Sequence, residues 1–252
     1  MSLMHTTDYS QIARRYDLNP IRKRFAPEKC IAELLAASKS PLALLDLACG
    51  TGNYLESQHA AYGQQLIRWF GCDLSAEMLA VARAKVGFAE LVECDAQSLP
   101  YQDGAFDVIA INFAFHHFRD KRTCRREAHR TLKVGGYLLM HNICPEEMPD
   151  WWVYRYFPST RVIDNERFWT EDHVRSEMEA LHFEVSRQLE YERDRTLSDH
   201  LFEARNREVS QLTLLPESEY SAGLKTMEAD SQKGVAYAAP TVLIHRTCRR
   251  LA

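Results

Sequence analysis

Along the chain, short apolar runs of strand length alternate with stretches whose apolar residues recur at a helical period. "LALLDL" (42–47) is the clearest run, followed by "LIRWFGCD" (66–73), "ELVECD" (90–95), "FDVIAINF" (106–113) and "YLLMHNIC" (137–144). Continuous apolar runs bounded by turn residues mark strands buried on both faces. Two more strands are expected at "FEVSRQLEY" (183–191) and "TVLIHRTC" (241–248). Helices fill the intervals: Cys30 to Lys39, Asn53 to Tyr62 with Gly63 as its stop, and "SAEMLAVARAKV" (75–86). In the last of these Ser75 is placed to cap, and Met78, Leu79, Ala82 and Val86 share one face. A basic helix should follow the fourth run and end at Gly135-Gly136. Thr170 should cap a helix through Leu181, and residues 198–233 read as helical.

Strands alternating with helices predict an α/β fold: a doubly wound, mostly parallel seven-stranded sheet covered on both faces, with helical lid segments. The 252 residues can bury one large core without a second domain. The expected organisation is one domain, with residues 1–40 as an amino-terminal lid, 41–144 as a cofactor-binding core, and 145–252 as a substrate lid and the last strands.

In such a sheet, ligands bind where strands end and the following helices begin. Gly50 and Gly52 sit at the first of these turns, where missing Cβ atoms permit a tight bend and let a ligand reach the backbone. Asp73 ends the second strand, and a carboxylate there can accept both hydroxyls of an adenosine ribose. Phosphate-binding patterns fit poorly. G-x-G-x-x-G would need glycine at 48, 50 and 53, where the chain has Ala48, Gly50 and Asn53, and G-x-x-x-x-G-K-[ST] is absent. Asp46, just ahead of the turn, suits a ligand bearing an amino group better than a pyrophosphate.

Composition narrows the class. Hydrophobic residues at 46% and charged residues at 26% are ordinary for a soluble globular enzyme. No window approaches the ~18 apolar residues of a membrane span, and the amino terminus lacks a basic-then-apolar leader, so a cytoplasmic protein is expected. A net charge of −4 gives no electrostatic reason for a nucleic-acid partner. The basic stretch "RDKRTCRREAHRTLK" (119–133) reads as a solvated helix face. Seven cysteines are widely spread without zinc spacing, so reduced structural thiols and no metal are expected.

The motifs together carry a resemblance. "DLACGTGN" (46–53) resembles the first motif of class I S-adenosylmethionine-dependent methyltransferases, and "GCDLSAEML" (71–79) is similar to their second. "ECDAQSLPY" (93–101), "FDVIAINFAFHHFRD" (106–120) and "LKVGGYLLM" (132–140) match the later motifs in order, and "YSQIARRYD" (9–17) resembles the amino-terminal lid of small-molecule members. The resemblance implies a Rossmann-like methyltransferase fold, S-adenosylmethionine as cofactor and S-adenosylhomocysteine as product. It assigns cofactor contacts to Asp46, Ala48, Cys49, Gly50 and Gly52, and to Asp73, Leu74 and the adenine-packing Met78. Asp95 and the Ala96 backbone would meet the adenine amino group, and Asn112 and Phe113 belong to the fourth motif. Ala48 in place of the frequent first glycine, and Val134 in place of a common proline, are departures that leave cofactor binding intact.

Methyl transfer to a small-molecule acceptor is an in-line displacement that leaves a neutral thioether, so positioning supplies much of the rate. A neutral acceptor must still lose a proton to a base. His116 is the first candidate and His117 the second, each weighed against a structural role. Trp151, Trp152 and the aromatics after them are placed either to line an acceptor pocket or to pack the lid onto the body. Arg155 and Arg161 are candidate partners for a substrate carboxylate, and Tyr9 and Tyr16 are candidates to close over the site. Rival readings are an RNA or protein methyltransferase, a non-catalytic S-adenosylmethionine binder, and an NAD-dependent oxidoreductase. Base-amine methylation is disfavoured because Asn112-Phe113-Ala114-Phe115 stands where N/D-P-P-Y would be expected.

Overall fold

The first apolar run becomes the centre of the sheet. In the computed structural model, described over residues 23, 25–63, 66–192, 195–237 and 239–252, strand β1 (Leu42–Leu47) is buried along its whole length. It pairs in parallel with β2 (Ile67–Asp73) on one side and β4 (Phe106–Asn112) on the other. With β3 (Glu90–Glu93), β5 (Leu132–Ile143), β6 (Phe183–Glu192) and β7 (Thr241–Arg250) the order is β3-β2-β1-β4-β5-β7-β6. The chain therefore leaves β1 towards one edge and returns at β4 to build the other. That reversal is the switch point at which a doubly wound sheet opens a crevice beyond its strand ends. Register brings Asp46 opposite Gly71 on one side and Ala110 on the other.

Helices α1 (Lys29–Ala37), α2 (Asn53–Tyr62), α3 (Ala76–Lys85) and α4 (Lys121–Thr131) follow the sequence signals closely. Gly63 ends α2 in a left-handed conformation at φ 69°. The Ser75 hydroxyl accepts the Met78 N–H at 3.2 Å to start α3, and Asp120 accepts the Thr123 N–H at 3.0 Å to start α4. Leu44, Leu55, Trp69, Leu79, Val108 and Leu139 interlock in the core beneath them.

Three expectations need correction. Helix α4 stops at Thr131, and Gly135-Gly136 lie inside β5 instead of ending the helix. Phe106 faces Leu132 whereas Val108 faces Tyr137, so the strand loops outward in a bulge. Gly135 takes φ 79° there, and a Cβ on Gly136 would fall 2.8 Å from the Asp107 carbonyl, which is why glycine is needed at this bulge. Second, 198–233 divides into α8 (Leu197–Arg205) and α9 (Glu217–Gln232), separated by a 3₁₀ turn, Ser210–Leu214. Thr196 and Asp199 form a capping box on α8, and Pro216, which cannot donate to a preceding turn, directly precedes α9. Third, the basic helix is not simply solvated. Lys121 and Arg125 are buried, and Arg122 and Arg125 pair with Glu177 of α7 (Glu171–Glu179). Arg130 bridges Glu127 and Asp103 at 2.8 Å each.

The chain falls into two compact units. Among the described residues, one unit holds those up to Asn142 with Asp172–Arg187 and His245–Ala252; the other holds Ile143–Glu171 and Gln188–Ile244. The second unit includes α5 (Trp152–Tyr156) and α6 (Ser159–Arg167) and has its own core of Trp152, Tyr156, Phe157, Leu212, Met227 and Ile244. Among the described residues, no helix is long and apolar enough to cross a membrane.

Candidate active site

The turn from β1 into α2 alternates left-handed residues: Ala48 at φ 63°, Gly50 at 53° and Gly52 at 79°. The turn is closed from within, the Gly52 N–H donating to the Cys49 carbonyl at 2.8 Å. Each glycine has its own reason. A Cβ on Gly52 would sit 3.0 Å from Val86 and 3.5 Å from Ala82, so Gly52 lets the turn press against the end of α3. A Cβ on Gly50 would meet nothing within 4 Å, so this glycine leaves the backbone open to a ligand. Ala48 holds a left-handed conformation with a Cβ, at a cost of about 1 kcal/mol.

Asp73 ties this turn to the neighbouring strand. Its Oδ2 accepts the Gly50 N–H at 2.8 Å and its Oδ1 the Ser75 N–H at 2.9 Å. Each carboxylate oxygen keeps a second lone pair, which fits two vicinal hydroxyls. Burial raises the Asp73 pKa, opposed by the backbone N–H groups of Ser75 and Gly50. Leu74 follows with 69% of its surface exposed, an apolar face beside the ribose-type acid. Met78 is buried at the start of α3. Asp95 is exposed, with its carboxylate taking the Gln97 N–H at 2.9 Å and the Gln97 amide, and Ala96 is half-buried beside it. Cys49 is buried, its N–H bonded to the Cys72 carbonyl at 2.9 Å.

Asp46 lies at the switch point with 1% exposure and accepts the Asn112 amide N–H at 3.1 Å. Burial pushes its carboxyl up to about 7; the Asn112 hydrogen bond opposes the rise and the Asp73 charge adds to it. Asn112 Oδ1 is buried without a hydrogen-bond partner among the described residues. A high carboxyl and an orphaned acceptor side by side are the electrostatic complement of an ammonium group. The site thus offers acids, an orphaned acceptor, an open backbone face at Gly50 and apolar surface, which fits S-adenosylmethionine.

Past β4, Phe113 adopts φ 52° and donates its N–H to the His141 carbonyl at 2.8 Å. The 3₁₀ turn Phe115–His117 then carries both candidate bases. His116 is buried, with Nδ1 3.1 Å from the Asn142 amide nitrogen; the His117 ring lies 3.9 Å from it, centre to centre. Trp151 and Trp152 are core residues of the second unit. Trp152 is 1% exposed, stacks on His200 at 5.2 Å and donates its backbone N–H to the Tyr237 hydroxyl at 2.6 Å. Arg155 is exposed. Tyr9 and Tyr16 lie outside the described residues.

Two residues at this site escape a sequence reading. Tyr54, in the first turn of α2, is 2% exposed with a hydroxyl that has no partner among the described residues, and the Phe25 ring packs edge-on against it at 5.4 Å. Asn142 meets His116 only because β5 returns beside β4. The one available signal for Tyr54 was its place just after the glycine turn. Among the described residues, no group of three His, Cys, Asp or Glu side chains could hold a metal ion.

Comparison with known proteins agrees with this geometry. Residues 45–140 match the family model described as a methyltransferase domain. A demethylmenaquinone methyltransferase of Thermotoga maritima is 30% identical over 208 residues, covering 71% of this chain and 87% of that protein. A ubiquinone/menaquinone biosynthesis C-methyltransferase of Xylella fastidiosa is 34% identical over 140 residues, covering 51% of this chain; the match spans 54% of that protein, about half its length. Among solved structures, one described as a methyltransferase from an antibiotic biosynthesis pathway of Anabaena variabilis superposes with a TM-score of 0.70 at 16% identity, covering 89% of this chain and 98% of that one. With the glycine turn, the ribose-type acid and the switch-point crevice in place, the chain belongs to the class I S-adenosylmethionine-dependent methyltransferases.

Proposed function

We propose that the protein methylates a carbon of a reduced quinone-type small molecule, using S-adenosylmethionine, in the cytoplasm. The observation that carries this reading is the Gly50–Asp73 hydrogen bond beside the buried Asp46–Asn112 pair. The names of the Thermotoga and Xylella relatives support a quinone-class acceptor, and the second supports attack by carbon. A nucleic-acid acceptor is disfavoured because Arg122, Arg125 and Arg130 of the basic helix already face carboxylates. Seven free cysteines support a reducing compartment.

When bound, S-adenosylmethionine supplies an electrophilic methyl whose leaving group is a neutral thioether. Asp73 holds the ribose, Asp46 and Asn112 hold the amino-acid end, and the open face of Gly50 lets the donor lie against backbone. His116 manages the proton. The Asn142 amide beside Nδ1 holds the ring in place, and the base role needs the amide turned so that its oxygen, in place of its nitrogen, faces Nδ1–H and frees Nε2 to take the proton. Taking the proton of an acceptor ring hydroxyl raises electron density on a ring carbon; that carbon would then take the methyl as its bond to sulfur breaks, and loss of the same carbon's own proton restores the aromatic ring.

The test follows S-adenosylhomocysteine release with reduced benzoquinone and naphthoquinone acceptors. Turnover is expected, and His116→Ala should lower kcat about a hundredfold while leaving S-adenosylhomocysteine affinity nearly unchanged. Turnover only with acceptors of another class would remove the quinone assignment. Failure to bind S-adenosylhomocysteine at all would remove the whole reading.

A further inference from the structure

We propose that a cleft within the second unit binds a phosphate-ester oxyanion. The cleft, of about 630 Å³, is lined by Pro149, Asp150, Tyr154, Arg155, Arg161 and Tyr237 among others. Both arginines are exposed, and each lies against an aromatic ring. The Arg155 guanidinium lies over the Tyr156 ring at 5.6 Å and that of Arg161 over the Tyr154 ring at 5.7 Å. Stacking on an aromatic face fixes the plane of the fork and leaves its N–H edges for a ligand.

Three acids of this unit are committed to other partners. Asp164 accepts the Tyr154 hydroxyl and the Gln211 amide, each at 2.9 Å. Asp230 accepts the Tyr156 hydroxyl at 3.1 Å, and Glu219 accepts the Ser159 hydroxyl at 2.6 Å. Among the described residues neither Arg155 nor Arg161 forms an ion pair with a carboxylate; Arg161 makes one long hydrogen bond, at 3.4 Å, to the Pro149 carbonyl. Two guanidinium groups on one cleft, with a single acid, Asp150, in the lining, match a doubly charged oxyanion that accepts on several oxygens. Tyr237 is fixed as a wall, its hydroxyl holding the Trp152 N–H, and with Pro149 it offers apolar surface to the organic part of an ester. Asp150 is the opposing charge in the lining, so it should weaken the binding of a simple dianion.

The proposal does not depend on the methyl-transfer reading. It is tested on the full-length protein with two probes, phenyl phosphate by calorimetry and phosphatidic acid in phosphatidylcholine vesicles by co-sedimentation. Saturable binding of either is expected, weakened about tenfold or more by Arg155→Ala and by Arg161→Ala. Arg155→Lys, which keeps the charge but not the fork, should fall between, and Asp150→Asn should tighten binding. Phenyl phosphate binding identifies a soluble ester as source; vesicle binding alone identifies a lipid headgroup. S-adenosylhomocysteine affinity and the melting temperature should stay at wild-type values in every variant. Absence of binding to both probes would overturn the proposal. So would binding unchanged in the Arg155→Ala/Arg161→Ala double variant, or binding that Asp150→Asn does not tighten.

Discussion

At the scale of single residues, Asp73 carries two jobs that a substitution can separate. It shapes the glycine turn through the Gly50 N–H, and in the proposed reading its remaining lone pairs meet the ribose. Asp73→Asn keeps the size but can no longer accept at both positions, leaving one backbone N–H without its partner. Cofactor affinity should fall about thirty- to a thousand-fold, corresponding to roughly 2 to 4 kcal/mol of charge-assisted hydrogen bonds. Titration calorimetry with S-adenosylhomocysteine checks this, and a wild-type dissociation constant would take Asp73 out of the site. The turn at Gly50 and Gly52 and the place of Asp73 at the end of β2 were legible from sequence because they follow from spacing along one βαβ unit. Tyr54 and Asn142 were not, since each acquires its meaning from a distant strand or segment.

Elements were legible to the extent that local rules decide them. The caps at Ser75 and Gly63 and the five strands up to β5 depend on neighbours a few residues away. Gly135-Gly136 misled because a glycine pair serves equally as a helix stop and as a strand bulge, and only pairing with β4 distinguishes them. The aromatic segment left two roles open, and its burial bears on that choice. With Trp152 stacked on His200 inside its own unit's core, Trp152→Ala should open a cavity. A loss of about 3 to 5 kcal/mol of stability is expected in urea melts, with the change in acceptor KM secondary. Full stability together with a raised KM would instead favour an acceptor-lining role.

At the scale of the whole molecule, buried carboxyls couple folding to pH and to the cofactor. Asp46 stands at about 7 and Asp164 at about 6, both raised chiefly by burial above the ordinary 3.8. Between roughly pH 4 and 7 the folded chain therefore binds more protons than the unfolded one, so these groups make stability fall as pH rises through that window. His129, lowered mainly by burial, acts in the opposite sense as pH rises towards its ordinary 6.5. Comparison with Asp46→Asn removes that background. Below pH 4 the Asp46 carboxyl is protonated in both states; by pH 8 its ionisation in the crevice should cost the free protein on the order of 2 to 4 kcal/mol that the variant does not lose. Cofactor affinity should run the other way. An ammonium group beside Asp46 favours the ionised carboxylate, so wild-type affinity for S-adenosylhomocysteine should rise from pH 6 to pH 8 and then level off, while Asp46→Asn binds weakly with a flatter profile. Urea melts and calorimetry across that range measure both trends. A wild-type stability curve parallel to that of the variant would show that Asp46 titrates as an ordinary carboxylate, and the ammonium assignment would lose its electrostatic basis.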